Sequence, residues 1–506
     1  MSLKEFKDDP WGRGHMHAAY RERAFFHIQP APETGTGEVI VSSLYRKCGL
    51  GLEEVKVPST GKEFVTSSQT PKHHKESGSN VDMESWRVVI NAVLESPKQK
   101  GQSSRRFLQM SPIVPDVALY SGSARPTGNS WNPGELIRRM VSFGSKDDIG
   151  SAATWDRLFN ALGVDDNDDI WARWLQDEFR LRRRGVPVWS AQPWAPITSL
   201  PPRDKDLIAF PARQFVRDLE GIILAKPYMT RRQWVSLLES IVRLGSVAHV
   251  LWLCEVNHRV WQAIQGVLNG NDTSTTGVKI ASCDTSFLTY GKPATPLMRD
   301  YASRYLIARL GINAVLWQLE ELGKPVNSIE NLDELESLIA KVRKQREPLL
   351  AAGILQTVME LREGEKNART IACKNSIGAN IIEFLQYVPG QRQASDDTMR
   401  GYDQGYIISK KGDYVSAPWI VSMGPVSILA LVHCCLRDAA GPRSIQKLCQ
   451  HLGLYGIGIH RDDVNASDLG RKLRTLGLVL DSPDAESGML LIPPFDGTSR
   501  KKEATP

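Results

Sequence analysis

Apolar residues fall in short, irregular bursts over roughly the first 130 positions. From about Trp131 they settle into a helical spacing that persists for over two hundred residues. Within the first region, Glu38 to Tyr45 alternates in the manner of a half-buried edge strand, and Asp82 to Glu95 sets Trp86, Val89, Ile90, Val93 and Leu94 at helical spacing. Pro58 to Asn80, rich in Ser, Thr and Lys, reads as an exposed linker that carries His73 and His74. Pro133 suits the first turn of a helix, and Thr230 is a good N-cap for Arg231 to Leu244. Further helices are predicted over Ser151 to Leu162, Asp168 to Arg184, Met298 to Leu322 and Leu332 to about Glu363, where Pro348 should kink or break the last. Val247 to Leu268 is apolar on nearly every side, which predicts a buried central helix.

The pattern changes again near the C-terminus. Residues 401–424 read as a β-hairpin, with Tyr406 to Ser409 and Tyr414 to Ala417 as its strands. Residues 425–497 then run helix, helix, helix, hairpin: an apolar helix from Pro425 to Arg437, a second from Ser444 to Leu452, a Gly-rich turn, and a third opening at Asn465. This third helix is expected to point Leu469, Leu473 and Leu476 inward and Arg471, Lys472 and Arg474 outward, with Gly477 ending it. Leu478 to Leu480 and Met489 to Ile492 follow as paired strands. The order resembles the winged-helix domain, a helix-turn-helix variant with a β-wing. In that family the third helix enters the DNA major groove. The resemblance implies DNA contacts at Arg471, Lys472 and Arg474, with Arg443 and Lys447 on the backbone. The acidic wing tip of Asp481, Asp484 and Glu486 suits the other use of such modules, docking a partner protein.

The fold class expected is therefore mainly α: a small irregular α/β region over 1–130, a helical bundle-like middle over 131–400, the hairpin, the winged-helix-like module, and a disordered basic tail over 498–506. The chain has 506 residues, 41% hydrophobic and 24% charged, which excludes a disordered or collagen-like protein. The polar N-terminal segment shows no secretory signal and no long uninterrupted apolar run is present, so a cytoplasmic protein without a membrane span is expected. Seven scattered cysteines form no Cys-x-x-Cys pair, so neither structural zinc nor any other cofactor is expected.

A net charge of +6 is mild for this length, so nucleic acid would have to be met by local basic patches. Arg180, Arg182, Arg183 and Arg184 lie among Trp171, Trp174, Trp189 and Trp194, the mix that a backbone-tracking groove uses. Four residues could instead serve an unrecognised hydrolase or nuclease: Glu255 and His258 at Glu-x-x-His spacing, Glu383, and His433. No phosphate-binding loop is present. Large motif-poor helical chains that end in a winged helix resemble accessory subunits of bacterial DNA-processing or anti-phage systems. That resemblance implies a non-catalytic, DNA-associated subunit whose partners include a motor or nuclease on another chain.

Overall fold

A computed structural model describes residues 2–495, except 13, 22, 29–38, 52–67, 95–109, 121–132, 184–186, 195–199, 209–210, 272–275, 283–285, 365–376, 391–405, 413–415, 440 and 482–488. The elements that carry the architecture are the helices α1 (Val39–Tyr45), α2 (Pro133–Gly144), α3 (Pro211–Ala225), α4 (Arg231–Leu268), α5 (Thr295–Glu321), α6 (Leu332–Lys344), α7 (Pro425–Leu436), α8 (Gln446–Gly453) and α9 (Asp468–Thr475). Seven short strands accompany them: β1 (Leu288–Thr289), β2 (Ile408–Lys410), β3 (Trp419–Val421), β4 (Arg443–Ser444), β5 (Ile457–Gly458), β6 (Val479–Asp481) and β7 (Met489–Leu491). The fold is mainly α, as the periodicity predicts.

Thr230 opens α4 with a reciprocal cap: its hydroxyl accepts from the Gln233 amide, and the Gln233 side chain takes the Thr230 amide. Two predicted helices are in fact one, because Gly245 and Ser246 continue the turn between them. The resulting 38 residues extend over about 57 Å at the normal rise per residue. Helices α1, α2, α3, α5, α6 and α7 all pack on α4. Its most apolar window has the hydropathy of a membrane span, yet every residue of that window is buried in protein.

A helix with almost no solvent face must settle its polar groups internally. Arg231 reaches the Asp168 carboxylate at 3.1 Å and the carbonyls of Ile113 and Gly163 at 2.6 and 2.8 Å. Arg243 pairs with Glu239 at 2.8 Å, donates to the Val388 carbonyl, and lies over the Tyr406 ring. Asn257 accepts from the Tyr20 hydroxyl and donates to the Phe26 carbonyl, which pins the N-terminal segment across α4. Helix α5 comes close because it presents Gly311, where a Cβ would lie 2.6 Å from the Trp261 ring of α4.

Several expectations are corrected. Glu38 to Tyr45 gives no strand; Val39–Tyr45 is the helix α1, with Ile40, Val41, Leu44 and Tyr45 buried. Tertiary burial has overridden the β propensity of Ile40 and Val41. The Pro58 to Asn80 linker contains a short helix, Pro71–Glu76, with His73 buried. Pro348 acts earlier than its own position. It cannot donate to Lys344 and its ring would strike that carbonyl, so α6 ends at Lys344 and the chain restarts as Arg346–Ala351 and Ile354–Gly364. The hairpin's second strand falls at Trp419–Val421 in register Ser409↔Ile420, beyond the predicted Tyr414 to Ala417. The 498–506 tail lies outside the described residues.

Two outcomes follow. Gly311→Ala should force α5 away from Trp261 and cost about 1–3 kcal/mol, read from the urea midpoint. His249 is enclosed on α4 against Trp252, and burial first, then Arg139, push its imidazole down to about 3. The unfolded chain, at about 6.5, takes up the proton first, so this group's stabilisation is complete above that pH and drains away toward 3. His249→Phe should flatten the acid limb by up to about 1.4 kcal/mol per pH unit between neutral pH and about 4.5, measured in phosphate-free buffer.

Candidate nucleic-acid interface

The C-terminal module follows the order α7, β4, α8, β5, a short helix Arg461–Val464, α9, β6, β7. Strands β4, β7 and β6 form one antiparallel sheet in that spatial order, with both outer strands facing Leu490 through Ser444 and Leu480. Ser467 caps α9 by accepting from the Gly470 amide. Leu469 and Leu473 are buried beneath it, and Gly477, at φ 66°, turns the chain into β6. Leu476, expected inward, stands at the helix end 36% exposed.

This module is fastened to the bundle through a buried carboxylate. Asp218, on α3, accepts from His451 Nε2 at 2.8 Å and from the Tyr455 hydroxyl at 2.7 Å on one oxygen, and from the Gln214 amide at 2.7 Å on the other. Burial and then the Asp218 charge hold the Tyr455 hydroxyl well above its ordinary value, so it stays a donor. Residues 286–294 form a second attachment. On one edge β1 pairs in parallel with β5, and on the other Gly291, Lys292 and Ala294 exchange backbone hydrogen bonds with β3. Gly456, at φ 72°, lies against the face of Phe287, where no Cβ fits.

The basic residues named for DNA divide sharply. Arg471 is exposed on α9, and its guanidinium makes no hydrogen bond among the described residues. Arg443 is exposed at the sheet edge, and among the described residues its guanidinium hydrogen-bonds the neighbouring Pro442 carbonyl, at 3.3 Å. Lys447 is half-buried on α8. Lys472 corrects its expected outward placement: it turns back to Asp468 at 2.8 Å, the Met423 carbonyl at 2.6 Å and the Ser422 hydroxyl at 3.1 Å. Arg474 is exposed but bracketed by Asp481, at 2.9 Å, and Asn465. The Arg474–Asp481 pair thus takes one acid of the wing and one base of the helix; Asp484 and Glu486 lie outside the described residues.

The second patch does not assemble. Arg182 is fully buried, paired with Glu178 and set over the Trp86 ring at 4.0 Å, so it cannot meet a ligand in solvent. The helical period explains this, because Arg182 shares the inner face with Leu175 and Phe179 of Ile170–Arg182. Arg183 is largely covered beside Asp116, and Arg180 is exposed next to Asp177. Arg184 lies outside the described residues. Trp171 and Trp174 stack on each other at 4.8 Å, whereas the half-buried Trp189 and Trp194 pack on the core, against Phe159 and Trp155.

The catalytic alternatives are likewise separate. Glu255 pairs with Arg259 at 2.7 Å and not with His258. Burial lowers His258, whose charged neighbours are Glu255, Arg304, Asp300 and Arg259. His433, on α7, donates to the Gly221 carbonyl and is lowered by burial, with Arg437 and Asp218 near it. Glu383 sits on another helix, Ile377–Tyr387, and is among neither set. Burial raises the Cys434 and Cys435 thiols, which suits inert core positions. Among the described residues no three His, Cys, Asp or Glu side chains converge to hold a metal. Comparison with known proteins finds no matching family and no matching curated protein.

Sequence reasoning missed Asp218, His451 and Tyr455 because the partners are over two hundred residues apart and follow no spacing rule. Asp218→Ala should leave the buried donors of His451, Tyr455 and Gln214 without their acceptor and cost about 1–3 kcal/mol for each that stays unsatisfied. Hydrogen exchange should then rise across α8 and β5 while α4 stays protected. Gly456→Ala should produce the same local loosening through Phe287.

Proposed function

We propose that this chain is a non-catalytic, DNA-associated subunit that meets DNA through the C-terminal module and works beside a separate motor or nuclease, as in the bacterial DNA-processing and anti-phage assemblies it resembles. The observation that carries the reading is the sheet order β4–β7–β6, with α9 leading directly into the β6–β7 hairpin. It is the order expected of a winged helix. On that frame Arg471 faces solvent from α9 and Arg443 from the first strand, and among the described residues neither guanidinium has a carboxylate within ion-pair distance, so both are offered to phosphate.

A second reading, docking of a partner protein, is favoured by exposed Leu454, Leu476 and Leu480 on the same module, next to the neutralised Arg474–Asp481 pair. The two readings separate in one experiment. Anisotropy with labelled double- and single-stranded DNA, at about 50 and 200 mM salt, should show salt-sensitive binding. Arg471→Glu with Arg443→Glu should weaken it at least about tenfold, each substitution removing a phosphate contact. Arg474 is left in place because its loss would release Asp481 and Asn465. Binding that is absent, or unchanged in the double variant, would favour docking, and Leu480→Glu would then be the variant that blocks assembly with the partner.

A further inference from the structure

The N-terminal segment lies across α5 and α4 and is bonded to both. The Leu3 amide donates to the Glu321 carboxylate, the Trp317 indole to the His15 carbonyl at 3.1 Å, and the His17 amide to the Asn313 side chain at 2.8 Å. On α4 the Tyr20 hydroxyl donates to Asn257. His17 stands in the middle of this seam, buried, with its ring set edge to face against Trp317.

Both ring nitrogens of His17 are engaged, and their partners dictate which one holds the proton. Nδ1 lies 3.2 Å from the Ala19 amide nitrogen, a group that can only donate, so Nδ1 offers its lone pair. The proton is therefore on Nε2, which donates to Glu320 at 2.7 Å. His17 thus starts the short helix Ala18–Arg21 in the manner of an N-cap: its carbonyl accepts from the Tyr20 and Arg21 amides, and its ring from that of Ala19. That helix carries Tyr20, the link to α4. An imidazolium has two N–H groups and no acceptor. Protonation at Nδ1 sets two donors against each other beside the buried Ala19 and removes the cap.

Glu320 draws the other way, since its charge favours an imidazolium. Its side chain is 47% exposed against 5% for the ring, so solvent screens the added attraction while the ring is denied water. Burial is the larger influence and holds the imidazole below its ordinary value. The other charged groups of α5 at this seam are engaged elsewhere, Glu321 with the Leu3 amide and Arg309 over the Trp11 ring. On its own segment, His15 donates to the Asp9 carbonyl at 2.7 Å, and α4 meets the segment through the uncharged Asn257. We propose that His17 is a proton-operated clasp: neutral, it caps Ala18–Arg21 and fastens the N-terminal segment to α5, and protonated, it lets that segment loosen. The clasp uses none of the residues assigned to DNA and stands independently of that reading.

Amide hydrogen exchange of the full chain, corrected for the intrinsic effect of pH on exchange, reads the clasp at residues 18–21. The released imidazole, at 6.5, binds its proton more tightly than the clasped one, so fastening is complete above that pH and drains away below it. Protection of residues 18–21 should fall roughly three- to tenfold from about pH 7.5 to about 5.5, while α4 stays protected. His17→Asn keeps a side-chain acceptor suited to an N-cap and does not titrate, so its protection should be equal at the two pH values. Glu320→Gln leaves an acceptor for Nε2 without the charge that favours the imidazolium, and it should deepen the fall. Protection in wild type that holds or rises in acid, an undiminished fall in His17→Asn, which would move the effect to His15 or His27, or a shallower fall in Glu320→Gln would each overturn the proposal.

Discussion

Everything in this fold answers to α4. A helix of 38 residues that is enclosed on nearly all sides gains a large apolar contribution, but each polar group it carries must be met by another element. That requirement recruits distant parts of the chain. Asn257 brings in the N-terminal segment, Arg231 the turn around Asp168, Arg243 the carbonyl at Val388, and Ser240 the hydroxyl of Ser427 on α7. The irregular N-terminal region and the C-terminal module are thus both tied to the same rod, although neither shares its sequence pattern.

The attachment of the C-terminal module follows the same logic at the surface of the bundle. A single carboxylate on α3 collects three donors, two of them from the module. The lysine on α9 that might have faced DNA instead bonds the linker between β3 and α7. Charge on this helix is consequently partitioned: Lys472 holds the architecture, Arg474 steadies the start of the wing, and Arg471, though near enough to help hold Asp468 ionised, makes no hydrogen bond among the described residues.

Much of the fold was legible because it rests on local rules. Thr230 caps α4 by reaching the amide three residues on, and such a cap is read directly from sequence. The failures have physical causes. Ile40 and Val41 have strand propensity but are buried as a helix, whereas the break expected of Pro348 does occur, beginning at Lys344, whose carbonyl its ring would strike. Of the candidate interface, Arg471 is exposed on its helix, as the helical period predicts. Arg182 is not, since one place on a helix separates an exposed side chain from a buried one. The Asp218 cluster depends on contacts between remote segments, for which a single sequence carries no signal.

The strap formed by residues 286–294 has a mechanical implication. It bonds β5 on one edge and β3 on the other, and its last residue, Ala294, leads straight into the first turn of α5. A head joined by a loose tether could swing without troubling the body behind it. Here a displacement of α8 is passed through β5 to the strap and along it to the longest partner of α4. The module and the bundle therefore respond to a load as one lever, with its short arm at the surface and its long arm in the core.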